Sequence, residues 1–449
     1  MPLSLLSLAL AVTIPSSQAS ISVDPTLQYQ KWDGWGTSLC WWAHVIGGYP
    51  DAVREEVMQK TFKYLGFNIV RYNIGGTENP EHKHMQPRAL VPGYLKPDGS
   101  YDWTADANQR WVLQRAKKLG VNRFEAFSNS PPYFMTLNGC ASGAKDGGSN
   151  LDPAKMDAFA DYLVTVVKHF KDNWGITFET LTPLNEPGAD WWKEGGRQEG
   201  CHVSPGDEQS KLLLATAREL EKVKSPTKLS GAEESLIDQS VTAYDKMWPE
   251  AKAKLARFNT HTYGGSKRRE LQERMDMFGK PFWMSEYGDR DPSGLTMSLQ
   301  ILKDLKQMRP SAWCYWQVVD QTGSNWGFWD MDLNGGGHTA VTHPKLYVMA
   351  NYSRFIRPGA RFIEVGDDHT LAAMKGNDLI LVVTRKGEGG KTTFDLSKFK
   401  SVGKDAQVYV TAPGKNLAEM PRIKIEGKTL QAEVEADSVT TFVVKGCRT

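Results

Sequence analysis

Residues 178–185 read FETLTPLN and run straight into Glu186-Pro187, and residues 281–288 read PFWMSEYG, so two short β-prone runs each carry a glutamate at their C-terminal end. Six further runs of the same character surround them: GWGTSLCWW (34–42), FNIVRYN (67–73), RFEAFS (123–128), TKLSGAEE (227–234), ARFNTHTY (256–263) and SAWCYWQV (311–318). Between them the spacing changes to that of helices. Met156, Phe159, Ala160, Leu163, Val166, Val167 and Phe170 recur every three or four residues and form one apolar face, with similar patterns around 51–65, 105–119 and 207–223. Several strands are too apolar for a half-solvated antiparallel sheet. Eight strands alternating with helices predict an α/β fold, a (β/α)8 TIM barrel, ahead of an open doubly wound sheet. No Gly-x-Gly-x-x-Gly follows a strand and no Gly-Lys-Ser/Thr loop occurs, which removes the usual nucleotide fingerprints.

After Pro358 the pattern changes to short runs such as LILVVTRK, AQVYVTA and SVTTFVVKG separated by Gly, Asp, Asn and Pro, which predicts an antiparallel β side domain. ISVDPTLQYQK (21–31) is β-like and is assigned to that domain. The divisions are a signal peptide over 1–19, an N-terminal strand of the side domain over 20–31, the barrel over 32–348 and the C-terminal β side domain over 349–449. With no long Ser/Thr/Pro linker, rigid docking is expected.

The 449 residues carry 54 Lys and Arg against 52 Asp and Glu, and no basic stripe of the kind broad nucleic-acid binding requires. LSLLSLALAVTI (3–14) is too short to span a bilayer, and Ser17 and Ala19 suit cleavage after Ala19. The expectation is a secreted, extracellular chain, monomeric and without a membrane segment once the signal is removed. Five scattered cysteines give no Cys-x-x-Cys spacing. Cys140 and Cys201, both in glycine-rich stretches, are the candidate disulfide, and Asn351-Tyr352-Ser353 is the one glycosylation acceptor motif.

Glu186 ends the fourth strand and Glu286 the seventh. Closure of a barrel lets strand ends three units apart point across one mouth. Glycoside hydrolysis needs such a pair: one carboxyl protonates the leaving oxygen while the other attacks the anomeric carbon or activates water. A spacing of about 5 Å gives retention and about 6.5–9.5 Å inversion. A noncatalytic carbohydrate-binding module is the rival, since it would keep the aromatic surface without converging glutamates.

The motifs Trp32-Asp33-Gly34-Trp35-Gly36, Asn129-Ser130-Pro131-Pro132-Tyr133-Phe134-Met135, Asn185-Glu186-Pro187 and Ser285-Glu286-Tyr287-Gly288 make the chain resemble glycoside hydrolase family 30 over about 22–446. The resemblance implies a retaining enzyme with Glu186 as general acid/base, Glu286 as nucleophile and Asn185 directed at a sugar 2-hydroxyl. The Leu39–Ala43 continuation, the Asn138-Gly139-Cys140 loop and Trp191-Trp192 are most similar to secreted microbial endo-β-1,6-galactanases of fungal type. That similarity implies β-1,6-galactan side chains of arabinogalactan proteins as the polysaccharide substrate. β-1,6-Glucan and xylan are the alternatives within the family.

Supporting roles follow from strand ends. Arg71 and Asn73 end the second strand, where Arg71 is expected to hold Glu286 ionised through a bidentate pair, with an outward salt bridge as the alternative. Tyr263 ends the sixth strand and is expected, from barrel relatives, to donate to the nucleophile. His261 is expected neutral or shared in hydrogen bonds, in contact with substrate and without metal-ligand partners. Trp316, Gln317, Trp35, Asn129 and Tyr133 are assigned to the cleft, with Trp41, Trp42, Trp191, Trp192 and Trp326 as outer sugar platforms. Asp330-x-Asp332-x-Asn334-Gly335 imitates a calcium loop, but position twelve is Val341 where a glutamate is required. No cofactor and no metal are expected.

Overall fold

The computed structural model describes residues 20–334 and 337–449. The signal segment expected over 1–19, together with Gly335 and Gly336, lies outside them. Eight parallel strands close into a barrel: Gly34–Ser38, Ile69–Asn73, Arg123–Phe127, Thr180–Thr182, Lys228–Leu236, Leu255–Gly264, Phe282–Tyr287 and Ala312–Tyr315. All eight fall within or against the predicted runs, and the barrel, not the open sheet, is the fold. The last strand pairs with the first, Trp35 opposite Trp313, which completes the closure.

Helices cover the barrel, so the second and first strands are buried at every position. Met156–Trp174 turns its predicted apolar face inward, with Phe159, Leu163, Val166 and Phe170 fully buried or nearly so. Inside the barrel the two-residue alternation stacks side chains in layers. Gly36 faces that interior, where a Cβ would meet Ile69 Cβ at 2.6 Å and Cys314 Sγ at 2.8 Å. Its neighbour Trp35 therefore points outward. Trp35 Nε1 donates to the Ile356 carbonyl at 2.8 Å, and its ring packs on Trp32 and Tyr352. This corrects the assignment of Trp35 to the cleft. Trp42 is likewise core, fully buried with its Nε1 donating to the Ser38 carbonyl.

The side domain is a nine-stranded sheet with its own apolar cluster. Ile21–Lys31 pairs antiparallel with Arg361–Val365 and parallel with Gly390–Asp395, so the N-terminal strand does join this domain. A hydroxyl cluster stitches it to the barrel: Ser298 Oγ lies 2.7 Å from Thr384 Oγ1, and Tyr352 OH 3.1 Å from the same atom. Asn351 belongs to this seam. It is fully buried and its Nδ2 donates to Thr411 Oγ1 at 2.6 Å, so the acceptor motif is closed to glycan attachment in the folded chain.

All five cysteines are free, which removes the expected Cys140–Cys201 bridge. Cys201 Sγ turns to the His202 carbonyl, whereas Cys140 Sγ faces Glu78 and His84. The calcium-like run has a structural explanation: Asp330 Oδ2 accepts from the Gly323 and Asn325 amides. Among the described residues no helix is long and apolar enough to cross a membrane.

Candidate active site

The C-terminal ends of the barrel strands open into a cleft of about 500 Å³ lined by Glu186, Glu286, Asn185, Asn129, Tyr263, Trp316 and Gln317. Trp41, Trp191, Trp192 and Trp326 add aromatic lining, and Arg88, Gln198 and Arg290 line it as well. Trp41 is positioned by Gln317, whose Oε1 accepts the Trp41 amide at 2.9 Å. Trp191 is 44% exposed and so presents a ring to a ligand, while Trp192 is anchored by its Nε1 donating to the Glu186 carbonyl.

Glu186 sits just past the fourth strand with φ +49°, a left-handed conformation that its surroundings impose. Its amide donates to the Glu233 carbonyl at 2.9 Å, and the Asn185 amide donates to Ser128 at 2.8 Å. These bonds to neighbouring strands aim both side chains into the mouth. Glu286 ends the seventh strand, and carboxylate oxygens of Glu186 and Glu286 lie within 4.8 Å of each other around His261.

Two donors hold Glu286, and a third polar group stands beside it without a hydrogen bond. Arg71 Nη1 donates at 2.7 Å to Oε2, Tyr263 OH at 3.0 Å to Oε1, and His261 Nδ1 stands 3.6 Å from Oε1. The expected bidentate pair is not what forms. Arg71 divides its guanidinium among Glu286, Glu125 (Nε to Oε1, 3.2 Å) and Glu233, with Ser38 and Asn185 also accepting. Asn185 Oδ1 is thereby taken, which leaves Nδ2 as the end that can donate to a sugar hydroxyl.

His261 is shared in hydrogen bonds, as one branch of the expectation had it, but it is fully buried and lies outside the cleft lining, so the expected contact with substrate does not form. Burial disfavours its charge, but Glu286, Glu186 and Glu233 outweigh that and raise it to about 10. It is an imidazolium that donates from Nδ1 to Glu186 Oε1 at 3.0 Å and from Nε2 to Glu233 Oε1 at 3.1 Å. Glu233 is raised by burial but held low overall by Arg71 and His261. Glu286 is pushed above the ordinary carboxylate value by burial, which His261 and Arg71 oppose and Glu186 reinforces. Glu186, His261 and Glu286 have the donor atoms of a metal site. The Arg71 guanidinium and the imidazolium already supply the cationic charge there, which argues against a divalent ion in the same space.

The O-glycosyl hydrolase family 30 model matches residues 18–258. The chain belongs to glycoside hydrolase family 30. An endo-β-1,6-galactanase of Hypocrea rufa is 31% identical over 98% of this chain and 98% of its own. An exo-β-1,6-galactobiohydrolase of Bifidobacterium longum is 24% identical over 87% of this chain, which spans 36% of that larger protein. The structure of a conserved exported protein from Bacteroides fragilis superposes with a TM-score of 0.80 at 22% identity, covering 95% of this chain and all of that one.

Within this family 30 mouth, Asn73 and Tyr133 lie away from the cleft surface. Asn73 Nδ2 donates to Glu199 Oε2 at 3.1 Å beneath the loops, and Tyr133 packs edge-on against Phe134. Sequence reasoning missed Glu233, Glu125, Arg257 and Asn259, the charged layer beneath Arg71. Glu125 is fully buried and accepts from Arg71, Arg257 and Asn259. The available signal was carboxylates inside buried strands, Glu125 in RFEAFS and Glu233-Glu234 in TKLSGAEE, since an uncompensated buried charge is costly. It also missed a cluster of Glu78, His82, His84 and Cys140, contrary to the expectation of no ligand group.

Proposed function

We propose that this family 30 enzyme is a secreted, retaining, endo-acting hydrolase of β-1,6-galactan, with Glu186 as general acid/base and Glu286 as nucleophile. The observation that carries the mechanism is the approach of the two carboxyl groups to within 4.8 Å, oxygen to oxygen, since separations of about 5–5.5 Å suit covalent attack and leave no room for an intervening water. In the first step Glu286 attacks the anomeric carbon while Glu186 gives its proton to the departing glycosidic oxygen. Arg71 and Tyr263 hold the attacking carboxylate in place. Formation of the ester removes the negative charge at Glu286, and Glu186, now a carboxylate beside the His261 imidazolium, takes a proton from the incoming water.

Support for the substrate comes from the 31% identical relative named an endo-β-1,6-galactanase, matched along nearly the whole chain. An open cleft walled by Trp41, Trp191, Trp316 and Trp326 suits a chain of pyranoses, whose C–H faces stack on indoles. Secretion is supported by the signal-like residues 1–19 and by the exported relative.

The test is a panel of β-1,6-galactan, β-1,6-glucan and glucuronoxylan, with product length and linkage analysed and the first-formed anomer observed by NMR. Internal cleavage of the galactan with the β anomer appearing first is expected. Preference for another glycan overturns the substrate, and an α anomer first overturns the nucleophile.

A further inference from the structure

The loops that follow the second and third barrel strands meet at a second cluster of ligating side chains. Glu78, His82 and His84 come from the first loop and Cys140 from the other, and their ligating atoms all lie within 4.8 Å of one another. Three separations are nearly equal: Cys140 Sγ to Glu78 Oε2 is 3.4 Å, Cys140 Sγ to His84 Nε2 is 3.6 Å, and His84 Nε2 to Glu78 Oε2 is 3.6 Å. Zinc bonds of about 2.3 Å to sulfur and about 2.0–2.2 Å to nitrogen or oxygen, at tetrahedral angles, put neighbouring ligand atoms about 3.3–3.6 Å apart. The triangle matches one face of such a tetrahedron, and His82 Nδ1, 3.0 Å from Glu78 Oε1, is the fourth donor.

Independent features fit the same ion. His84 Nδ1 lies 2.6 Å from the Gly196 carbonyl, so that nitrogen carries the proton and the lone pair of Nε2 faces the cluster, as ligating histidines require. Glu78 is 7% exposed, and among the described residues its ion pairs are with His82 and His84 rather than with Lys or Arg. A divalent cation would neutralise this buried carboxylate. A Cys–His nucleophile is the competing reading of Cys140 and His84. Cys140 is fully buried and so closed to a substrate, whereas a reactive cysteine is partly exposed.

We propose that Glu78, His82, His84 and Cys140 bind a zinc-class divalent cation that fastens one wall of the substrate cleft. Coordination takes Cys140 as thiolate, its proton passing to solvent. Four protein donors close the site, which makes the ion structural rather than a generator of nucleophilic water. The clip reaches the third loop as well: His84 meets Gly196, the Gln86 amide donates to the Arg197 carbonyl at 3.0 Å, and Asn138 Nδ2 donates to Glu194 Oε2 at 3.2 Å. Trp191, Trp192 and Gln198 of the cleft lie on that loop.

The untagged full chain, secreted in zinc-supplemented medium and dialysed, should carry one equivalent of zinc by elemental analysis. Cys201→Ser should retain it, and Cys140→Ser and His84→Ala should lose it. Chelation should lower the melting temperature of the wild-type chain, and added zinc should restore it. Cobalt substituted into the wild-type protein should show a sulfur-to-cobalt charge-transfer band with tetrahedral d–d absorption, a readout that does not depend on the variants folding. A wild-type chain without stoichiometric metal, zinc retained in Cys140→Ser and His84→Ala, or cobalt spectra lacking the sulfur band would each overturn the site.

Discussion

Tyr263 donates its hydroxyl to Glu286 Oε1 at 3.0 Å, while Arg71 donates to the other oxygen of the same carboxylate. With both oxygens held, the carboxylate has one orientation relative to the mouth. A hydrogen bond to a charged group contributes about 1.5–3 kcal/mol, so Tyr263→Phe is expected to lower kcat about ten- to a hundredfold. Loss of a donor to the ionised form also moves the acidic limb of kcat/KM to higher pH, and pH–rate profiles of the two proteins check both effects. In the wild type that limb is expected above the ordinary glutamate value of about 4.3, because burial raises Glu286.

The two carboxyl roles separate kinetically. On an activated aryl β-galactoside the leaving group scarcely needs a proton, so Glu186→Ala should preserve much of the first step and slow release of the glycosyl-enzyme. Azide should then accelerate turnover and give the β-galactosyl azide. Glu286→Ala should lose the covalent step, and any azide product from it should be the α anomer. Mass spectrometry of the chain trapped with a 2-fluoroglycoside should find the label on Glu286.

Stability should decline as pH rises from mildly acid to neutral. Burial raises Asp106 to about 7, Glu199 to about 8 and Glu234 to about 7. A carboxyl whose folded value exceeds its unfolded value near 4 holds an extra proton when folded, so its contribution is complete below about pH 4 and is lost as pH climbs through the folded value. His261, raised to about 10, has the same sign, with its contribution lost between about 6.5 and 10. Thermal unfolding between pH 4.5 and 9 should show a falling Tm, and His261→Gln should flatten the upper part of that fall.

Two tryptophans should respond in opposite ways. Trp35 is fully enclosed beneath the side domain, so Trp35→Ala should cost about 3–5 kcal/mol of stability. Trp191, at 44% exposure, should leave stability nearly unchanged when replaced by Ala, while KM for long oligosaccharides rises and KM for a small aryl glycoside does not. Denaturant unfolding and Michaelis parameters for short and long substrates check the contrast.

What was legible in the sequence is what depends on local pattern. Strand runs, helical periodicities and the change of rhythm after Pro358 are properties of neighbouring residues, and they led to the barrel and the side domain. Barrel closure then follows from strand count, so the meeting of Glu186 and Glu286 was implied by topology alone. Which way a residue faces was not. Trp35 and Trp41 are equally aromatic in sequence, yet the close approach of Gly36 to Ile69 and Cys314 turns Trp35 out to the core, while the Gln317 hydrogen bond holds Trp41 at the cleft. The charge of His261 likewise depends on Glu186, Glu233 and Glu286, which lie on three other strands or strand ends and come near it only in the closed barrel. Cys140 shows the same limit. Its partners Glu78 and His84 lie 62 and 56 residues away, outside any spacing rule, because loops of different strands converge only after the barrel has closed. Local sequence decides what each segment forms. Long-range packing decides which polar groups share a dielectric and a distance, and therefore which of them carry charge or bind an ion.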